Sequence, residues 1–554
     1  MALTIRIAGE AGQGVATTGS ILVGALAELG LHVAATRSYM SRIRGGLNWY
    51  DVRIGTEPLH GPAARADLLV ALTEIALATL REEVTEGATV LYNGTEADGA
   101  LAIDFDGVAK EVAGSKLYSN TVAAGAVFAL LGYDLDVLDA FLKKQFKKKG
   151  QEVIEANEAC LRKGAELARQ SGWSLKAPHP DGGPRSVCDG ATAIGQAAAV
   201  AGVKLVTAYP MTPGTATFTH LAKVADEFGL VVEQAEDEIA AVNMICGAAY
   251  AGVPALTTTS GGGFALMAEG LSLAGIMELP ILIVIAQRPG PATGLPTRTG
   301  QQDLLFALRA GHGEFPRAIF APGSVRQCAE LTRRALETAH RFQAPVILLT
   351  DQFLQDLEQT GDPLPTAPDP IDRCLATEAG EDYARYAVTD SGVSPRAIPG
   401  GAARVVCDSD EHTADGHLTE DLDVHLAQQD KRMRKLEGMT AESLAPERHG
   451  PADAETLLIC WGSTYGPCRE AVDLLNAAGG SCALLHFAQL WPLNVPAVRE
   501  AVGSRRRVVG VEGNQTGQLV TLLRSVGAVG ECELLTDYSG LPFTGERIAE
   551  RTRQ

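Results

Sequence analysis

The chain has 554 residues, 46% of them hydrophobic and 21% charged, an ordinary globular mixture and long enough for about three to four domains. Its net charge of −20, from 67 acidic and 47 basic residues, argues against a nucleic-acid or anionic-membrane partner. The most apolar stretch, residues 271–287, carries Glu278 and Pro280 near its middle and so reads as a helix end followed by a buried strand, not a membrane span.

The first residues read as a strand, "LTIRIAG", so no secretory or transit signal is expected. A turn "GEAGQG", a helix "VATTGSILVGALAELG" and a strand "LHVAAT" follow. This strand–helix–strand opening puts Gly12 and Gly14 where backbone amides at a helix N-terminus hold a phosphate. The order G-x-x-G-x-G is not the dinucleotide fingerprint, and Arg37 stands where an acidic ribose partner would be. The basic run with Arg37, Arg42 and Arg44 suits a phosphorylated ligand, a subunit contact or a solvated loop. Prolines 178, 180 and 184 mark the end of this block, which spans residues 1–183.

Residues 184–358 form the most informative block. Strands "KLVTAYP", "LVVEQA", "PALTTTS" and "LPILIVIAQRPG" alternate with helices, which predicts an α/β domain with a doubly wound parallel sheet covered on both faces. Ligands of such sheets bind at the carboxyl ends of the strands. Tyr209–Thr215, Gln234–Glu238, Ser260–Gly263 and Gln287–Thr297 fall at those ends, so four loops converge on one rim.

Residues 359–451 read as a linker, with Pro363, Pro365, Pro368 and Pro370, followed by a charged insertion. His412 and His417 lie among carboxylates at 408–417 but without helical spacing, and the stretch reads as a solvated or interface loop; no metal site is assigned. Residues 452–554 repeat the strand–helix theme on a smaller scale, giving three α/β domains in all. The ten cysteines include no CxxC pair, which predicts reduced thiols, no zinc or iron–sulfur site within the chain, and a cytoplasmic location.

At 233–241 the sequence reads "EQAEDEIAA", four carboxylates leading into a helix of small and apolar residues. Acidic residues in a first helical turn are favoured by the helix dipole, which is one reading of the cluster Glu236, Asp237 and Glu238. A carboxylate carried into the Ala- and Gly-rich helix is costly unless it meets a partner. It is either a structural cap or salt bridge, or a group that exchanges a proton with a cofactor ring nitrogen.

The ordered motifs "AYPMTPGT", "EQAEDEIAAVNMICGAAYAG", "TTSGGGFALMAEGLSLAGIMELP" and "AQRPGPATGLPTRTGQQDL" resemble the alpha subunit of the 2-oxoacid:ferredoxin oxidoreductases, particularly the 2-oxoglutarate synthase branch. The first block resembles that family's gamma domain, fused at the N-terminus, and the last its transketolase C-terminal-like domain. The resemblance implies a central domain of the thiamine diphosphate pyrimidine-binding type, with Glu238 hydrogen-bonded to the pyrimidine nitrogen as the catalytic acid–base group. Tyr209, Pro210, Ser260 and Gly261 would line the cofactor. Thr212, Arg288 and Thr297 would bind substrate, a guanidinium fork suiting a dicarboxylate. Gly12, Gly14, Arg42 and Arg44 are candidates for the coenzyme A side.

Three departures from the family pattern, "SGGG", "RPGPATG" and "SYMSRIRGG", bear on the substrate rather than on the cofactor. The sequence has no GDG followed by Asn to hold magnesium and diphosphate, and no ferredoxin-like cysteine set. The chain is therefore expected to be half of an active site. A beta subunit would add the diphosphate and Mg2+ site and a 4Fe-4S cluster in a heterodimer or heterotetramer that decarboxylates a 2-oxoacid oxidatively, passes electrons to ferredoxin and the acyl group to coenzyme A, or runs in reverse. Pyruvate or a branched-chain 2-oxoacid is the alternative substrate. A noncatalytic assembly or regulatory subunit is the alternative function.

Overall fold

The computed structural model describes residues 2–41, 45–376, 378–380, 382–504 and 507–554. The chain packs as two compact units, Met1–Cys188 with Asp356–Pro363 and Thr544–Arg547, and Asp189–Gln355 with Leu364–Phe543 and Ile548–Gln554. No helix of the described residues is long and apolar enough to cross a membrane.

The first unit is built on β1 (Ala2–Glu10), β2 (His32–Ser38), β3 (Leu47–Gly55), β4 (Ala66–Ala71), β5 (Val84–Asn93), β6 (Leu101–Ile103) and β7 (Ser186–Asp189), joined from far along the chain by β14 (Glu358–Gly361). They form one sheet in the order β6-β5-β4-β1-β3-β2-β14-β7. The expected strand–helix–strand opening exists but is split. β3 lies between β1 and β2 and pairs antiparallel with both, from Ala2↔Gly55 to Glu10↔Leu47 on one side and His32↔Gly55 to Ser38↔Trp49 on the other. β3 has the apolar side chains for that central place, with Tyr50, Val52 and Ile54 buried.

In the second unit β8 (Leu205–Ala208), β9 (Val231–Gln234), β10 (Ala255–Thr259), β11 (Leu282–Gln287), β12 (Ala318–Phe320) and β13 (Val346–Asp351) run parallel, and β18 (Gln489–Trp491) closes one edge antiparallel in the order β18-β12-β13-β11-β10-β8-β9. Every residue of β10, β11 and β13 is buried, as strands covered on both faces require. The chain enters this sheet at β8, steps outward to β9, then returns to the other side at β10. The strand order therefore reverses between β8 and β10, and an open parallel sheet has its ligand crevice at that reversal. A third sheet, β15 (Glu447–His449), β16 (Thr456–Trp461), β17 (Cys482–Phe487), β19 (Arg507–Glu512) and β20 (Glu533–Thr536), has the order β15-β17-β16-β19-β20.

Three elements form within the stretch expected to be linker and charged insertion: β14, which extends the first sheet, the 20-residue helix Leu422–Ala441, and β15, an edge of the third sheet. The buried positions of the helix are Gln428, Lys431, Arg432, Lys435 and Met439, so it carries no apolar period to read from sequence. Charge pairing replaces hydrophobic packing. Lys431 Nζ lies 2.6 Å from Glu278 Oε1, Lys435 pairs with Glu278 Oε2, and Arg385 Nη2 donates to the Glu278 carbonyl at 2.9 Å. Burial pushes the Glu278 carboxyl up, but Lys435, Lys431 and Arg385 outweigh it and hold it at about 2. Removing one member of a buried ion network leaves the others uncompensated, at about 3–5 kcal/mol. Glu278→Gln is expected to lower the urea midpoint of the second unit accordingly; an unchanged midpoint contradicts this role.

Candidate active site at the strand-order reversal

The acidic cluster that opens the helix Glu238–Tyr250 separates in the structure. Glu233 and Glu236 are exposed. Asp237 is the N-cap, its Oδ1 accepting from the Ala240 amide at 2.7 Å, the ordinary task of an aspartate there. Glu238, one residue on, is 3% exposed, and its Oε1 is buried with no hydrogen-bond partner. Nothing in helix capping accounts for it. An unsatisfied buried carboxylate oxygen is among the costlier features a fold can carry, so the pattern is that of a group awaiting one.

What Glu238 faces is the turn Gly261–Gly263, first turn of the helix Gly261–Leu266. A Cβ at Gly263 would fall 2.5 Å from Glu238 Oε1 and closer still to Thr259 Oγ1, and a Cβ at Gly261 would fall 2.5 Å from Asp303 Oδ1 and closer still to Oδ2. No side chain other than hydrogen fits either place. Ser260 sits at the N-cap of this helix but caps nothing, and its buried Oγ has no partner. Glu238 and Ser260 thus present unpartnered polar atoms around backbone without side chains, which suits a flat polar ring.

Arg288 follows β11. Its Nη1 donates to the Thr212 carbonyl at 2.7 Å, which ties the loop after β8 to that after β11. Burial lowers the Arg288 pKa, with Asp303 opposing. It is the backbone of Thr212 that meets Arg288. Tyr209 and Pro210 lie exposed at the rim. Thr297 is half-buried in the loop beyond Arg288, and no hydrogen bond among the described residues joins the two. Asp303, within the "GQQDL" of the fourth motif, is a further candidate that the motif pattern does not single out. Burial raises its carboxyl, Arg288 opposes, and the result is about 6. A polar residue after a glycine turn was the available signal.

In the first unit, a cavity of about 630 Å³ surrounds the turn Gly12–Gly14 and the N-terminus of the helix Val15–Glu28. Gly12 and Gly14 have φ of 91° and 82°, a conformation that favours glycine. A Cβ on Gly14 would also fall 2.5 Å from Asn120 Nδ2 and closer to its Oδ1. Arg37, Trp49, Lys116 and Asn120 complete the wall. Arg42 and Arg44 lie outside the described residues. At 408–417 the acidic and histidine side chains pair locally: Glu411 binds both Arg432 and His425, and His417 meets Asp415.

The crevice at the reversal of strand order thus holds an unpartnered carboxylate beside a glycine turn. Residues 196–431 match the family described as pyruvate flavodoxin/ferredoxin oxidoreductase, thiamine diphosphate-binding, and residues 4–167 match pyruvate ferredoxin/flavodoxin oxidoreductase. The 2-oxoacid:ferredoxin oxidoreductase subunit alpha of Sulfolobus sp is 30% identical, over 99% of this chain and 96% of its own. The 2-oxoglutarate oxidoreductase subunit KorA of Mycobacterium tuberculosis is 30% identical, over 100% of this chain and 91% of its own. The solved 2-oxoglutarate:ferredoxin oxidoreductase from Magnetococcus marinus, with 2-oxoglutarate, coenzyme A and succinyl-CoA bound, superposes with a TM-score of 0.93 at 32% identity, over 100% of this chain and 99% of the other. The chain belongs to the 2-oxoacid:ferredoxin oxidoreductase alpha subunits.

Because a side chain at Gly263 must displace Glu238, Gly263→Ala is expected to fold yet lower kcat of the assembled enzyme about 100-fold, the scale of a misplacement near 1 Å. Turnover within a factor of two of wild type contradicts this placement of Glu238.

Proposed function

We propose that this chain is the pyrimidine-side half of a 2-oxoacid:ferredoxin oxidoreductase active site, completed by a beta subunit that holds the diphosphate, Mg2+ and a 4Fe-4S cluster, and that its substrate is 2-oxoglutarate. The observation that carries this is the buried, unpartnered Oε1 of Glu238 beside the Gly261–Gly263 turn. Thiamine diphosphate, when bound, supplies the carbon that adds to the 2-oxoacid and takes up the negative charge left by decarboxylation. Glu238 holds a proton at the ring nitrogen and exchanges it as the reaction needs, worth about 10²–10⁴ in rate. Ser260 offers its free Oγ to the same ring. Arg288, tethered to the Thr212 carbonyl, presents its remaining N–H groups to a carboxylate.

Ile239, Met244 and Leu266 are large apolar side chains left exposed on the helix of Glu238 and the helix of the glycine turn. They form the surface that the beta subunit covers, which removes water from the site. The cavity at Gly12 and Gly14 is the candidate for a phosphate group of coenzyme A, through the amides of a glycine turn at a helix N-terminus. The 2-oxoglutarate assignment draws on the ligands named for the Magnetococcus marinus structure and on the KorA relatives. The electrons of the oxidative decarboxylation leave for ferredoxin through the cluster of the partner. Pyruvate or a branched-chain 2-oxoacid is the alternative substrate.

The test is coenzyme A-dependent reduction of a viologen dye by the alpha chain mixed with its beta partner, across several 2-oxoacids. Activity is expected only in the mixture, highest with 2-oxoglutarate, and Glu238→Gln should lower kcat by about 10²–10³. No activity with any 2-oxoacid points to an assembly subunit. Arg288→Gln is expected to raise KM for 2-oxoglutarate at least about tenfold more than KM for pyruvate, the mark of an anchor for the distal carboxylate. An equal rise for both moves Arg288 to the carboxylate that all 2-oxoacids share.

A further inference from the structure

Asp303 precedes the short helix Leu304–Arg309, in the position from which an aspartate ordinarily caps, yet its side chain caps nothing. It is held elsewhere. Its backbone N–H donates to Gln287 Oε1 at 3.0 Å, and Gln287 is fixed in turn by a 3.1 Å bond from Nε2 to the Thr350 carbonyl. The carboxyl so placed packs on the Cα of Gly261, and its buried Oδ2 takes no hydrogen bond. The charged group that acts on it, among the described residues, is Arg288 from the loop after β11; Glu238, from the helix after β9, borders the other end of the glycine turn at Gly263. The bond to Gln287 sets Asp303 against the residue that precedes Arg288, within electrostatic reach of its guanidinium but with no ion pair within 4 Å among the described residues, while Arg288 Nη1 is bonded to the Thr212 carbonyl. One guanidinium thus serves a fixed carbonyl and lies near a half-buried carboxyl whose Oδ2 has no hydrogen-bond partner.

We propose that Asp303 is a positioning residue that sets how strongly Arg288 holds the carboxylate of the substrate. This rests on Arg288 being a substrate anchor. When charged, Asp303 competes for the guanidinium and cancels part of its field; when neutral, it leaves the full positive charge to the substrate. Screening is weak so close to a buried group, so the competition is felt. Burial keeps the neutral form within reach, because the Asp303 carboxyl titrates at about 6.

The sign follows. Carboxylates of a 2-oxoacid are ionised throughout pH 5.5 to 8, so the substrate does not change charge there. Below about 6 Asp303 is neutral and Arg288 is fully available; above it the charged form competes. KM should therefore rise with pH. At pH 7.5 roughly 3% of Asp303 would be neutral, which bounds the rise at about 30-fold if only that form bound substrate. Weaker binding by the charged form brings the expected rise to about three- to tenfold. By reciprocity, substrate binding draws a proton onto Asp303.

The experiment measures KM for 2-oxoglutarate from pH 5.5 to 8 in the assembled alpha–beta enzyme, for wild type, Asp303→Asn and Arg288→Gln, with Asp303→Ser as a second neutral replacement should the Asn variant fail to assemble. Wild type is expected to show the rise, and the neutral Asp303 variants a flat profile near the low-pH wild-type value. A role in folding alone would move stability or yield and leave the wild-type slope in the variants. A flat wild-type profile, or an Asp303 variant that keeps the wild-type slope, overturns the proposal. If Arg288→Gln leaves KM unchanged at every pH, the anchor itself is wrong and the proposal falls with it. A raised KM in Arg288→Gln beside a wild-type slope in Asp303→Asn overturns only the role of Asp303.

Discussion

A glutamate oxygen buried without a hydrogen bond is the constraint around which the second unit is arranged. The desolvation penalty of such a group is of the order of several kcal/mol, a large share of the net stability of an ordinary domain. The surroundings are shaped to keep it, not to relieve it. Asp237 takes over the capping role, leaving Glu238 without one. Glycines at 261 and 263 keep side chains out of the space in front of it. The reversal of strand order between β8 and β10 brings the loops bearing Thr212 and Ser260 to the same crevice. Strain tolerated at one place and supported on every side is the expected signature of a functional site.

The support reaches well beyond the central sheet. Gln301, two residues before Asp303, donates to the Trp461 carbonyl at 2.7 Å, accepts from the Gly513 amide at 2.7 Å, and has its own carbonyl bound by Asn514 Nδ2 at 2.9 Å. Gln518 Nε2 holds the Gln302 carbonyl at 2.7 Å. The third sheet therefore fixes the segment that leads into the rim of the candidate site. On the other flank, the helix Leu422–Ala441 is pinned through Lys431 and Lys435 to Glu278, just beyond the helix Ala268–Ile276. Catalytic constellations need such rigid backing, because small displacements are costly in rate.

Much of this was legible in the sequence. Continuous apolar strands between helices gave the central parallel sheet, since burial on both faces leaves no room for polar alternation. Glu238 could be singled out from Glu236 and Asp237 because the motif order fixed its place relative to Gly247. What escaped has specific physical reasons. β3 inserts between β1 and β2, and strand order is set by packing of distant segments that a local pattern does not encode. Helix Leu422–Ala441 buries lysines against Glu278, so hydrophobic periodicity passed over it. Asp303 looks like a routine helix cap in one dimension, and only the brace from Gln287 turns its carboxyl toward Gly261.

The central claim, that this chain holds one half of a cofactor site, is tested most directly by the binding of thiamine diphosphate. Isothermal titration of the alpha chain alone, of the beta chain alone and of their mixture, each with Mg2+, would measure it. The account predicts tight, saturable binding only in the mixture, weakened at least about tenfold by Glu238→Gln. Equally tight binding by the alpha chain alone, or binding by the mixture that Glu238→Gln leaves unchanged, would contradict it.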